Sequence, residues 1–390
     1  MKTTRPHTET AERYCLPGIR FSLATDSVEV RDFFRASYRH FPDAEGPVSD
    51  CFPLTALLHA DDGRAVATAG DERLELSGRP MPVNRAFLFL LNAIMERISD
   101  FILLHGAAVS VNGRGIVLAG PPTAGKSTLV LELARRGAAF LSDDVAPLSR
   151  ATGLLHPFPR AIGIRREGEL LSRIDRSALP PESVHELAYK WLVDPRALGL
   201  RLAGPGDAPC PLDAIFLLDL DEMESAPGRD RYEIALAEED HDVLSEVRSV
   251  PGVLDLRRHE DRPFPVYTFR IDAARRPMGP LADILRRRRD VVLYMDASRP
   301  GHPERFEQPV VQEARTMTVV MELARDLLNR SESGELLKSC GGLSGLVAEM
   351  GSLLKGARTY RLRPGNPGRT AELLLAMATG RDGERMKGES

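Results

Sequence analysis

Cysteine is scarce in this chain. Four are present among 390 residues, Cys15, Cys51, Cys210 and Cys340, with no C-x-x-C pair and no histidine at ligand spacing. That argues against a disulfide scaffold and against a zinc site. Long hydrophobic runs are missing as well. The longest largely apolar stretch, Ala86 to Ile94, falls well short of the ~20 residues that cross a bilayer. The polar N-terminus MKTTRPHTETAERY has no apolar segment of the signal-peptide kind. Charge of one sign is not in excess either: 52 Lys and Arg against 56 Asp and Glu leave a formal charge of −4. This balance offers no basic field to nucleic acid or to an anionic membrane. The run Arg286-Arg287-Arg288-Arg289 has no interleaved aromatics and reads as a helix end facing water. Internal repeats and long low-complexity tracts are absent from the sequence. The expected setting is soluble, reducing and cytoplasmic, with no nucleic-acid or membrane partner.

What is there is an ordinary globular composition, 43% hydrophobic, in a chain long enough for two or three domains. The reading divides it into a flexible tail (1–15), an N-terminal α+β domain (16–98) suited to acceptor recognition, a core (99–330), a C-terminal helix and strand packing on that core (331–379), and a disordered tail (380–390). In the N-terminal part, short apolar runs alternate with Gly, Asp and Pro, and Asn84 is placed to cap a helix running to about Ile98. Phe101 to Val111 reads as a strand, Asn112-Gly113 as a hairpin turn, and Gly115 to Ala119 as a second strand. A helix is expected from Lys126 to Arg136, ended by Gly137, then a third strand at Ala139 to Leu141. Further strands are predicted at 212–218, 232–236, 266–271, 291–295 and 359–362, and helices at 316–328 and 342–354. Gly204 to Pro211 reads as a loop, and Arg330 to Gly334 as a linker. Strands alternate with helices, so the class is α/β.

The loop between the second strand and its helix carries the chemistry. Gly120-Pro121-Pro122-Thr123-Ala124-Gly125-Lys126-Ser127 fits G-x-x-x-x-G-K-[ST] in full, with Thr128 following. Glycines let backbone N–H groups turn inward onto an anion, and the helix that starts there adds its positive end. Lys126 can reach the β- and γ-phosphates, and the Ser127 hydroxyl can ligate Mg²⁺. A nucleotide, ATP with Mg²⁺, is the expected ligand.

Such a loop holds a nucleotide without saying what reacts. Phosphoryl transfer also needs a carboxylate for the metal and a group to deprotonate or orient the acceptor. Asp143-Asp144 ends the strand after the loop's helix. Adjacent residues on a regular strand point to opposite faces, so both can serve one site only where the strand ends or bulges. Asp219 closes an apolar strand as a Walker B acid does, an ending common in α/β proteins, and Asp296 ends a similar run. His105 on its own reads as a core histidine. Arg160 could neutralise phosphate or sit in a surface loop. Tyr189-Lys190 is a candidate for the same work.

Leu104-His105-Gly106-Ala107-Ala108-Val109, Gly113 to Leu118, the phosphate loop, Leu133-Ala134-Arg135-Arg136-Gly137 and Ser142-Asp143-Asp144-Val145 together resemble the catalytic domain of HPr kinase/phosphorylase. The resemblance implies a mixed-sheet P-loop kinase core of the HPr kinase/phosphoenolpyruvate carboxykinase type. It makes His105 an active-site residue and Lys126 a phosphate contact. It also implies that one acid of Asp143-Asp144 is the base and the other supports the metal or the hydroxyl; which is which stays open, with Asp143 preferred as base and Ser127 and Asp144 as the metal ligands. Phe158-Pro159-Arg160-Ala161-Ile162-Gly163-Ile164 resembles the family's Glu-x-Arg-Gly-Leu-Gly-Ile element. Arg160 is kept, but Phe158 stands at the Glu position, and the first hundred residues do not resemble the family's N-terminal domain. The chain is thus similar to the divergent HPr-kinase-like proteins that phosphorylate other hydroxyl acceptors. The expected acceptor is a serine of a peptide or protein, or a small hydroxyl-bearing metabolite, and a homo-oligomer is left open. Two alternatives stand beside this reading: a nucleotide-binding regulatory protein with weak ATPase activity, and a carboxykinase-like reaction on an organic acid.

Overall fold

The computed structural model describes residues 11–43, 48–59, 64–79, 81–165, 174–187, 189–218, 231–262, 264–297, 308–330 and 334–379. Asp219, most of the expected tails and residues 331–333 of the expected linker lie outside the described residues.

The first sheet runs in the order β1 (Glu12–Leu16), β2 (Ile19–Thr25), β3 (Phe52–Leu57), β4 (Val66–Ala69), β5 (Glu72–Glu75). β2 and β3 are parallel and are joined through α1 (Val28–Tyr38). Ser27 caps α1, its hydroxyl accepting from the Val30 amide at 3.2 Å. Phe33, Phe34 and Tyr38 of α1 are fully buried. α2 (Pro82–Arg97) starts before the expected cap. Pro82 occupies its first turn, where a missing N–H costs nothing, and Asn84 is buried inside the helix.

The central sheet is mixed. Its order is β10 (Leu154–Leu155), β9 (Val145–Ser149), β6 (Phe101–Val111), β7 (Arg114–Ala119), β14 (Cys210–Leu218), β20 (Arg358–Arg363), β19 (Val310–Glu313). β8 (Ala139–Ser142) also pairs with β6, and β10 with β14. β7, β14 and β20 are parallel, while β6 and β7 form the expected hairpin. Asn112 and Gly113 both take positive φ (52° and 76°) at its turn. The expected loop to Pro211 gives up its last two residues to β14.

Helices cover both faces of this sheet. Ile116 and Leu118 of β7 pack into the same core as α3 (Lys126–Arg135) and α9 (Pro367–Thr379). Val117 and Ala119 face the core built by α6 (Thr316–Arg325), α7 (Glu335–Ser339) and α8 (Leu343–Leu353). A strand buried on both faces needs no polar alternation, which is why Gly115 to Ala119 is apolar throughout.

Two smaller sheets complete the fold. One is β11 (Ile162–Arg165), β13 (Lys190–Val193), β12 (Val184–Glu186). The other is β16 (Val253–Arg258), β17 (Val266–Ile271), β15 (Arg231–Leu236), β18 (Val292–Ala297), beside α4 (His241–Ser249) and α5 (Met278–Arg287). The chain is therefore mixed α/β with several sheets. The core of the N-terminal sheet continues into Val145, Phe158, Tyr189 and Leu192. The arginine run does end α5, yet it does not simply face water. Arg286 pairs with Asp283 and Asp326, Arg287 and Arg288 with Glu246, and Arg289 with Glu96.

Candidate active site

The phosphate loop leaves the carboxyl end of β7, between β6 and β14, and opens directly into α3. Open α/β sheets bind ligands at such strand ends. Two glycines are demanded by the local geometry. At Gly120 (φ 152°) a Cβ would stand 3.0 Å from both the Cβ and the carbonyl oxygen of Leu218. Gly125, before the helix, is left-handed at φ 92°. Thr123 is also at positive φ (69°), a strained setting for a β-branched residue and one that concentrates at ligand sites. The Lys126 ammonium donates to the carbonyl oxygens of Gly120 (2.6 Å) and Pro121 (3.1 Å), so it lies over the loop. Burial lowers its pKa, while the charges of Asp326, Asp144 and Asp143 work the other way.

The acid pair sits in a bend between β8 and β9. Both strands run antiparallel to β6, with Ser142 opposite Ala108 and Val145 opposite His105. The register is thus kept across the bend, but the ladder breaks at Asp143 and Asp144. The Val145 amide donates to the Ser142 hydroxyl (2.9 Å) and closes the turn. This break releases the two carboxylates from the opposite-face rule. The Ser127 hydroxyl sits against the Asp143 carboxylate. Oδ1 of Asp143 is buried, with no hydrogen-bond partner among the described residues. Burial, opposed in part by the Ser127 hydroxyl, pushes Asp143 up to about 6.

His105 lies on β6 beside this bend. Its Nε2 is 3.2 Å from Oδ1 of Asp144, and its Nδ1 is 3.4 Å from Oδ2 of Asp326. Burial disfavours the imidazolium, but the two carboxylates outweigh it and raise the pKa to about 9. Asp144 is driven the other way: desolvation by its neighbours opposes its charge, but the side chain stays 60% exposed, and the His105 hydrogen bond holds it well below the usual carboxylate range. Asp326, just past α6, is lowered to about 2 against the effect of burial, by His105 and by Arg286, whose Nε donates to it at 2.9 Å.

Arg160 follows Phe158, which is fully buried against Phe41 at 5.1 Å between ring centroids. A side chain packed that way offers nothing to a metal. Arg160 lies over the Tyr38 ring at 5.1 Å, and its Nε is buried without a partner among the described residues. Lys190 opens β13 opposite Arg165 of β11. Burial lowers its pKa to about 8, Arg160 adds to the effect, and Asp144 and Asp143 oppose it. The structure therefore brings Lys126, Ser127, Asp143, Asp144, His105, Arg160 and Lys190 to one neighbourhood. Asp296 instead pairs in β18 opposite Glu233 of β15. Asp326 was not singled out in the sequence. Nothing in the local pattern marks it, since an acid after a helical stripe has no motif.

Among the described residues, no group of three or more His, Cys, Asp or Glu converges as a metal cage. Mg²⁺ does not require one. It is commonly held by one or two carboxylates together with water and substrate phosphates. The Ser127 hydroxyl and an Asp144 carboxylate kept ionised are oxygen donors of the kind it takes.

No family model matches the chain. The chain is similar to HPr kinase/phosphorylase of Limosilactobacillus reuteri (strain DSM 20016), at 29% identity over 98 residues, 25% of this chain and 30% of that protein. It is also similar to the protein of that name from Listeria welshimeri serovar 6b and to that from Listeria monocytogenes serotype 4a (strain HCC23), each at 29% identity over 79 residues, 20% of this chain and 25% of the relative. The chain thus spans under a third of the length of these curated relatives. The relationship is a distant, HPr-kinase-like one. Among the described residues no helix is long and apolar enough to cross a membrane.

Proposed function

We propose that this chain is an ATP- and Mg²⁺-dependent kinase that transfers the γ-phosphoryl group to a hydroxyl, with a serine of a peptide or protein as acceptor. Its core, residues 99–330, is read as the HPr kinase/phosphoenolpyruvate carboxykinase type, working in the cytoplasm, with the N-terminal domain (16–98) as a source of acceptor recognition. The observation that carries this reading is the meeting of Lys126 with an acid pair whose two members have opposite proton affinities. Divergent pKa values in neighbouring carboxylates separate a base from a permanent charge.

Asp143 is assigned as the base. A carboxylate near 6 is ionised at neutral pH and still basic enough to take a hydroxyl proton as the new bond forms. Its unpartnered Oδ1 is free to accept that proton. The acceptor oxygen bonds to the γ-phosphorus, the bond from phosphorus to the β–γ bridging oxygen breaks, and ADP leaves with that electron pair. Lys126 and Arg160 offset the charge of the moving group. Ser127 and Asp144 would hold Mg²⁺, which when bound neutralises phosphate charge. His105 keeps Asp144 anionic and oriented.

A second reading, a nucleotide-binding regulator with weak ATPase activity, is favoured by one feature. Phe158 replaces a metal-binding Glu of the resembled family and is buried in the core. Incubation with γ-labelled ATP and candidate serine peptides separates the two. Label on an acceptor, with a matching mass gain, supports the kinase. Free phosphate alone across all acceptors supports the regulator.

A further inference from the structure

Arg160 sits on a short stretch whose backbone is pinned at three points. The Phe158 amide donates to the Leu141 carbonyl (2.8 Å), which lays the stretch beside the end of β8, just before the acid pair. The Ala161 amide donates to the Ser37 carbonyl (3.3 Å) at the end of α1. Ile162 then opens β11 opposite Val193 of β13. Directly after Val193, Asp194 pairs with Arg39 and His40, each at 3.1 Å. The end of α1 and the residues after it therefore hold both strands that flank the Arg160 stretch, and Phe41 adds its ring contact with Phe158.

The side chain is held in another way. The Arg160 Nε is buried with no hydrogen-bond partner among the described residues, and the guanidinium lies over the Tyr38 ring, 5.1 Å from its centroid. A π-face attracts a cation without using its N–H donors, so the fork stays free for an anion. Tyr38 is itself firmly set. It is the last residue of α1 and fully buried. Its ring packs edge-on against Phe21 (5.8 Å) and Tyr14 (5.9 Å) and tilted against Phe34 (5.7 Å), one helical turn earlier. The Tyr38 hydroxyl has no partner among the described residues, so the ring face is the part that acts on Arg160. The charge of Arg160 in turn favours the ionised forms of Asp143 and Asp144.

We infer that Tyr38 is a positioning residue, whose ring face holds the Arg160 guanidinium against the γ-phosphoryl group, so that the N-terminal domain builds part of the reaction site as well as recognising the acceptor. This rests on the role proposed above for Arg160, but its test needs neither acceptor nor turnover. A non-hydrolysable ATP analogue and ADP are titrated separately by calorimetry, each with Mg²⁺, and the ratio of their affinities reports contacts to the γ-phosphoryl group. Tyr38→Leu should lower that ratio by about fivefold, the scale of one cation–π contact. Tyr38→Phe keeps the ring face and should restore the ratio to within about twofold of the parent. Affinity for ADP should stay within about twofold throughout, since Arg160 is set against the γ-phosphoryl group alone. Arg160→Met should lower the ratio by about tenfold, the scale of one charge-assisted hydrogen bond. Adding Tyr38→Leu to Arg160→Met should change it by no more than about twofold, because the two residues act through one contact.

An unchanged ratio in Tyr38→Leu overturns the inference. So does an equal loss of ADP and analogue affinity, which is the mark of packing damage alone, or a further fall of the ratio when Tyr38→Leu is added to Arg160→Met. A parent protein that binds the analogue no better than ADP overturns it as well, because Arg160 then does not meet the γ-phosphoryl group. Where Tyr38→Leu does not fold, Tyr38→Met takes its place, since the longer, adaptable side chain fills more of the space and offers no π-face. Failure of the kinase reading shows elsewhere, as the absence of label on any acceptor, and leaves the affinity ratio readable.

Discussion

The Asp326 carboxylate reaches back across the fold to His105, with Oδ2 3.4 Å from the imidazole Nδ1. Asp326 is the residue that ends α6. An acid there opposes the helix dipole, whose C-terminal end is negative. What holds it ionised is a cation on either side, His105 and Arg286. A local electrostatic misfit of this kind persists where the wider structure uses it. Here it fixes one face of the imidazole, so that the other face, Nε2, can meet Asp144 at 3.2 Å.

The doubly paired His105 should show in the pH dependence of stability. Its folded pKa, about 9, lies above the ordinary value of 6.5. Its contribution is therefore fully present below about 6.5 and is lost as pH rises through about 9. Thermal melts of the parent should fall across that window, while His105→Gln, lower at neutral pH, should change much less. Parallel curves for the two proteins from pH 6 to 10 would show that His105 carries no linked charge.

Asp143 should set the acid limb of activity. In the free enzyme its pKa of about 6 means that kcat/KM rises through that pH as the base ionises, and declines again near 9 as His105 loses its proton. Asp143→Asn should lower kcat by about 10²–10⁴-fold while nucleotide binding remains. The same variant should also melt higher at pH 7.5, by something on the order of 2 °C. A raised carboxylate contributes fully below its unfolded value and loses that contribution as pH rises through about 6, so at pH 7.5 removing the charge helps the fold. Near-full turnover by Asp143→Asn would falsify the assignment of the base.

The loop lysine and serine should separate by their readouts. Lys126→Ala removes the charge that the proposed mechanism sets against the γ-phosphoryl group, so transfer should drop by about 10²-fold or more. Ser127→Ala removes one oxygen donor, so the Mg²⁺ concentration for half-maximal rate should rise several-fold with less effect on saturated kcat. A Mg²⁺ titration of both variants is the check.

Gly120 tests the loop's shape without touching charge. Gly120→Ala puts a Cβ 3.0 Å from the Leu218 backbone at a φ of 152°. The loop or the end of β14 must move, and nucleotide affinity measured by calorimetry should fall by about tenfold, with secondary structure by circular dichroism unchanged.

Much of this site was readable from residue order because its parts are local. The hairpin turn, the loop glycines and the Lys126–Ser127 pair are set by backbone conformations that only certain residues allow. Strands β6 and β7 and helix α3 agree closely with their expected bounds. Strands β9 to β13 were not legible, being two to five residues long and set by pairing partners rather than by their own pattern. The function of Asn84 was misread for a related reason. Capping preference is weak beside a proline that already fits the first turn.

Residue order by itself determined the shape of the loop from Gly120 to Ser127, since the glycines and the strand-to-helix switch act through near neighbours. Tertiary structure alone decided the protonation states around it. Whether Asp143 or Asp144 holds a proton, and whether His105 is charged, depends on desolvation and on Asp326, Arg160 and Lys126 arriving from other parts of the chain. Electric fields act through space, and no spacing along one sequence encodes them.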